Sequence, residues 1–156
     1  MGSYVNIQRL EAHSNLLIDS FYRATGRTLL EYNPKLQSAA AATALFEANF
    51  VLLSHGTEPD PILNYGNKAA LRLWEMDWET FTSTPSRLTA EPMERTEREK
   101  LLNEVRRQGY SDGYTGIRVS SSGTRFEIRD AVIWSVVDAD NQYQGQAAMF
   151  REWKRV

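Results

Sequence analysis

The stretch from Phe46 to Leu53, FEANFVLL, limits what this chain can fold into more than any other. It is largely apolar and rich in Val, Leu and Phe, too short to cross a bilayer and long enough for a strand buried on both faces. His55-Gly56 ends it. Thr57-Glu58-Pro59-Asp60-Pro61 follows, where both prolines lack an amide donor and hold Glu58 and Asp60 in extended geometry. A second short strand is predicted over Ile62 to Tyr65, and Gly66 stops it. Asn67 is then placed to cap a helix running from Lys68 to Trp74. A central strand needs neighbours on both sides, so the rest of the chain must supply a sheet.

The N-terminal segment supplies a helix. Within Tyr4 to Thr25, apolar residues recur at three- and four-residue steps (Ile7, Leu10, Leu17, Ile18, Phe21), and Gly26 is a suitable stop. The seam Ile7, Leu10, Ser14, Leu17, Phe21 also has heptad spacing, so two outcomes stay open: docking on the body of the domain, or pairing with a second copy into a homodimer. Thr28 to Pro34 reads as a connector, and the alanine-rich Leu36 to Leu45 as a helix feeding the central strand.

Beyond Trp74, Asp77 is set to cap a short helix over Trp78 to Phe81, with a Ser/Thr/Pro connector from Thr82 to Ser86. A longer helix is expected from about Thr89–Pro92 to Gln108, with Glu91/Arg95 and Glu94/Arg98 spaced for i,i+4 pairing. The last third alternates like strands: Tyr114 to Ser120, Thr124 to Val137 and Tyr143 to Phe150, joined by Ser121-Ser122-Gly123 and Asp138-Ala139-Asp140-Asn141. From Ala131 onward both faces are apolar, which calls for a covered outer face, by the N-terminal helix or by a partner. The sum is an α+β fold, a five-stranded antiparallel sheet with helices over one face and an additional N-terminal amphipathic helix. The organisation read from the chain is an N-terminal helical extension, 1–35, and a domain, 36–156.

Composition removes function classes. With 156 residues the chain can bury a core without staples, and with no cysteine it has no disulfide, thiolate metal site, iron–sulfur cluster or catalytic thiol. A formal charge of −2, with bases dispersed among acids, lacks a nucleic-acid footprint. No apolar run reaches 18 residues, so no membrane span is expected and a cytoplasmic protein is. Its two histidines, His13 and His55, fall in separate elements, which argues against a metal site.

The order of elements resembles a PAS domain, a five-stranded antiparallel sheet with short helices inserted after the second strand. More narrowly, FEANFVLLSHGTEPDPILNYGNKAALRLWEMDWETFTSTPSRLTAEP, Phe46 to Pro92, is similar to the signature block of the MEKHLA domain, a PAS-related family. The resemblance implies a sensory or protein-interaction module with no settled ligand, and it transfers no catalytic residues.

Two chemistries compete for the polar residues. His55 with Asp60 or Glu58 is a candidate general acid–base corner, a device contributing about 10²–10⁴-fold to a rate. No nucleophile goes with it, since Ser54 and His55 are adjacent and point to opposite faces of a strand. The other reading is a ligand pocket in which Trp74, Trp134 and Met149 face inward and His55, Asn64 and Arg118 supply polar groups. Aromatic side chains bury about 150–250 Å² each, so a filled core is equally open. Recognition of a small molecule or a partner protein is the expectation, with no cofactor identified.

Overall fold

The computed structural model describes residues 7–30, 38–93 and 95–156. The predicted starts at Tyr4 and Leu36, part of the 28–34 connector and the Glu94/Arg98 pair fall outside them. The helices are α1 (Ile7–Thr25), α2 (Ser38–Phe46), α3 (Lys68–Trp74), α4 (Trp78–Phe81) and α5 (Arg95–Gln108); a 3-10 turn covers Ser86–Thr89. The strands are β1 (Val51–His55), β2 (Leu63–Gly66), β3 (Tyr110–Val119), β4 (Arg125–Val137), β5 (Tyr143–Phe150) and β6 (Glu152–Arg155). They form one antiparallel sheet in the order β2-β1-β5-β4-β3, and β6 pairs with β4 through Phe126 to Arg129. Among the described residues no helix is long and apolar enough to cross a membrane.

Three boundaries depart from the sequence pattern. The strand expected from Phe46 begins only at Val51, opposite Phe150, because the alanine-rich helix carries on through Phe46. β3 starts at Tyr110, four residues early, since Tyr110 and Ser111 pair with Trp134 and Ile133 before a register shift. β6 is an addition; all four of its residues are exposed, so it carries no apolar alternation to read. Glu91 pairs with Arg125 rather than Arg95, which pairs with Glu99 instead, because the chain turns between Thr89 and Arg95 before α5 begins.

Both faces of the sheet are covered. α3 and α4 pack on Val51, Leu53, Phe126, Ile128 and Phe150, a layer filled by Trp74 and Phe81. α1 and α2 pack on Leu52, Tyr65, Trp134 and Val136 through Leu17, Phe21 and Leu45. β4 serves both layers because Asp130 takes a left-handed φ of 51°, a bulge that swaps the faces: Phe126 and Ile128 point to one core, Trp134 and Val136 to the other. Of the two outcomes open for the α1 seam, Ser14, Leu17 and Phe21 take intramolecular docking, each at most 1% exposed. The Trp134 indole donates to Ser20 Oγ at 3.0 Å and its ring meets Phe21 edge-on at 4.8 Å.

Asn67 ties these layers together. Fully buried, its Oδ1 accepts from the amides of Ala70 and Leu52, both at 3.1 Å, and its Nδ2 donates to the carbonyls of Phe50 (2.8 Å) and Leu45 (3.3 Å). One side chain thus caps α3 and fixes the entry to β1 and the end of α2. Asp77 caps α4 in the ordinary way, accepting from Thr80 N at 2.8 Å. Replacing Asn67 by Ala strands four buried backbone groups, and chemical denaturation should report a loss of at least about 3 kcal/mol. A loss under about 1 kcal/mol would mean that water or relaxation satisfies them.

Candidate functional site

α1, β2 and α4 enclose a cleft of about 700 Å³. Its apolar wall includes Leu10, Leu16, Ile62 and Trp78, with His13, Asn64, Tyr65 and Glu58 as polar members. The fold brings these residues together for a simple reason. His13 follows Leu10 by three and precedes Leu17 by four, so it lies on the stripe that docks and is carried over the sheet. Ser54 shares the face of Leu52 on β1 and meets it there.

Between them runs a partly buried polar chain. His13 Nε2 lies 2.9 Å from Ser54 Oγ, and Ser54 donates to Asn64 Oδ1 at 2.5 Å. An amide oxygen only accepts, so the single hydroxyl proton of Ser54 goes to Asn64, and His13 carries its proton on Nε2 as donor to Ser54. The His13 ring stacks on Tyr65 (5.7 Å, 28°), and Trp78 meets Tyr65 edge-on at 5.8 Å. Burial lowers the His13 pKa to about 4, so the imidazole is neutral at pH 7. Burial likewise pushes the Tyr65 phenol up, and its hydroxyl makes no hydrogen bond of acceptable geometry. Ser14, a polar neighbour of that phenol, spends its own proton on the Leu10 carbonyl at 2.6 Å.

The residues singled out in the sequence fall in five places. Asn64 belongs to this cleft. His55 and Arg118 line a smaller pocket of about 100 Å³ on the opposite face of the sheet. Trp74 and Trp134 are fully buried in opposite cores, where they fill space rather than line it. Met149 is partly buried on the α1 side, beside a surface groove with Arg27, Arg151 and Glu152. The pocket pictured as one site is therefore divided, because the Asp130 bulge and strand parity send its members to different faces.

The acid–base corner is also not assembled. Asp60 holds the Arg87 guanidinium with both oxygens, at 3.1 and 3.3 Å. His55 bonds its neighbour's carbonyl, Gly56 O, through Nδ1 at 2.9 Å, and Glu58 accepts from Ile62 N at 3.2 Å. Among the described residues no group of three or more His, Asp or Glu side chains could hold a metal. His13, Ser54, Tyr65 and Trp78 were not singled out in the sequence. The available signal was a histidine set into the apolar stripe of a helix.

A family model for the MEKHLA domain matches residues 11–155. No curated protein matches significantly. Among solved structures, the PAS domain of a protein from Colwellia psychrerythraea aligns with a TM-score of 0.59 at 14% identity, over 74% of this chain and 92% of that one. An RNA-binding light-oxygen-voltage receptor aligns at 0.62 and 17% identity, over 79% of this chain and 36% of the receptor. A light-oxygen-voltage domain studied with a flavin analogue aligns at 0.53 and 16% identity, over 80% and 88%. Likeness at these identities shows the fold, a PAS-like sheet.

The buried imidazole makes stability depend on pH. Its pKa is about 4 folded against 6.5 unfolded, so its contribution is complete above pH 6.5 and is lost as pH falls through about 4. Below pH 6.5 the protein should lose stability progressively, by up to roughly 3 kcal/mol from this group. The buffer-corrected slope between about pH 5.5 and 6.5, where carboxylates are nearly all ionised, should fall in His13→Phe. An equal slope in that variant would assign it to another group.

Proposed function

We propose that this chain, which belongs to the MEKHLA domain family, is a PAS-like sensory module that recognises a small molecule in the cleft under α1, without catalysis. The observation that carries the reading is the polar content of that cleft: a neutral buried histidine, the Ser54–Asn64 chain and an unsatisfied tyrosine hydroxyl, inside mostly apolar walls. A concave apolar site with a few convergent polar groups and a perturbed titration is what small-molecule recognition uses. Arg9 and Glu58 line the same cleft with opposite formal charges and His13 is uncharged, so the balance favours a neutral, partly aromatic ligand over an ion.

Catalysis is poorly served. Ser54 is 2% exposed, and its proton is held by Asn64 rather than drawn off by His13, whose Nε2 is a donor. An activated nucleophile needs the reverse arrangement.

The cleft suits a sensor because one of its walls is the helix α1. A ligand touching Leu10, His13 and Leu16 bears on α1, whose docking rests on Leu17, Phe21 and the Ser20–Trp134 bond. A coupling of about 1–3 kcal/mol between ligand and helix would shift its docked population usefully. Release of α1 would also free the Leu10, Ser14, Leu17, Phe21 seam for a partner protein or a second copy, a route from ligand to homodimer.

Thermal-shift screening of neutral aromatic compounds tests the reading, with Ala12→Trp as the blocking variant, since Ala12 is an exposed cleft residue outside the core. Compounds that raise the melting temperature of the native chain should lose their effect in Ala12→Trp. Hits that shift both proteins equally, or an absence of hits, would remove this cleft as the input site.

A further inference from the structure

We infer that the small pocket on the other face of the sheet, beneath the Ser86–Thr89 turn, is a second binding site, and that it takes a short-chain carboxylate anion. The argument starts from Arg118. It is only partly exposed, lines the pocket, and takes part in none of the six ion pairs among the described residues. Its contacts are weak ones: the face of the Tyr114 ring at 5.3 Å, and the Tyr114 hydroxyl and Ile117 carbonyl at 3.4 Å each. A guanidinium taken partly out of water without an anion is unfavourable, and its planar fork of donors matches a carboxylate bidentately. The tyrosine face behind it leaves that fork oriented but not neutralised.

The rest of the lining fits the same ligand. His55 lines the pocket with its Nδ1 proton already given to the Gly56 carbonyl, so the donors left for an anion are other groups. Ser86 and Gln146 also line the pocket, and neither side chain makes a hydrogen bond of its own among the described residues. The acid nearest in influence to His55, Glu58, is held to Ile62 N at 3.2 Å and lines the opposite cleft, so it does not neutralise Arg118. Apolar side chains of Ile128, Ile133 and Phe150 close the remaining wall, a place for a short hydrocarbon tail.

Size sets the class. The pocket holds about 100 Å³, and one water takes roughly 30 Å³ of liquid volume, so it has room for about three waters or an acid of roughly two carbons, and a longer tail must reach toward the mouth. Flavin-sized or haem-sized groups do not fit there. The roof is also fixed: Ser86 N donates to Pro61 O at 2.8 Å, and Ala90 bridges to Arg118 itself, so the turn spans the pocket from the β2 end to β3.

The test is an amide NMR titration of the full chain with sodium acetate, propionate and butyrate at constant ionic strength, with sodium chloride and propionamide as controls. Saturable shifts are expected at Ser86, Arg118 and Gln146 for the carboxylates and not for either control. Arg118→Gln should weaken the binding at least tenfold, and Arg118→Lys, which keeps charge but loses the fork, should fall between. Ala148→Leu, which fills the pocket from the β5 side, should abolish the shifts while leaving Arg118 in place, and it guards against a folding defect in the Arg118 variants. Equal shifts with chloride, unchanged affinity in Arg118→Gln, no binding at all, or shifts confined to Leu10, His13 and Trp78 would each overturn the assignment. The last result would place the ligand in the α1 cleft, so failure here stays distinct from failure of the sensory reading.

Discussion

The fully buried carboxamide of Asn67 is the joint on which the fold turns. Its oxygen ends the amide ladder at the start of β1 and at the start of α3; its nitrogen holds the carbonyls of Phe50 and of Leu45 at the end of α2. Only an amide has both a two-fold acceptor and two donors in one plane, which is what four backbone groups of opposite polarity require. With that joint made, β1 lies between β2 and β5 and both its faces are committed to cores. The helices before and after it are then sent to opposite sides of the sheet.

The second constraint is the change of face within β4. A regular strand would send Phe126, Ile128, Trp134 and Val136 to the same side. The left-handed residue at Asp130 divides them, and β5 gives way to β6 opposite the same irregularity. The Trp74 and Trp134 cores are separated by the sheet itself. The site chemistry is therefore also two-sided: a roomy, net-neutral cleft under α1 and a tight, cationic pocket under the Ser86–Thr89 turn.

Local signals were read well because they act over a few residues. Asn67 and Asp77 cap the helices they precede, Tyr143 to Phe150 is a strand with the predicted ends, and the turn at Ser121-Ser122-Gly123 lies where turn chemistry puts it. The errors fall where several local preferences overlap. Phe46 satisfies a helix end as well as a strand start, and β6 has no apolar alternation because it is an exposed edge. The site was less legible. Of six residues singled out, Asn64 lies in the α1 cleft and His55 and Arg118 share the smaller pocket, whereas Trp74 and Trp134 are space-filling. An aromatic at a core position has the same sequence signature whether it lines a cavity or fills one.

The amino-acid order by itself determined the class of fold, the placement of caps and turns, and the absence of thiol chemistry, since each follows from residue type and short-range geometry. Only the tertiary structure decided which face each side chain serves, because a single left-handed residue in β4 reverses the parity that a pattern of apolar residues records. It alone also brought His13 to Ser54 across forty-one residues and left Arg118 without a counter-ion. Contacts between distant segments are set by the packing of whole elements, and no spacing within one element encodes them.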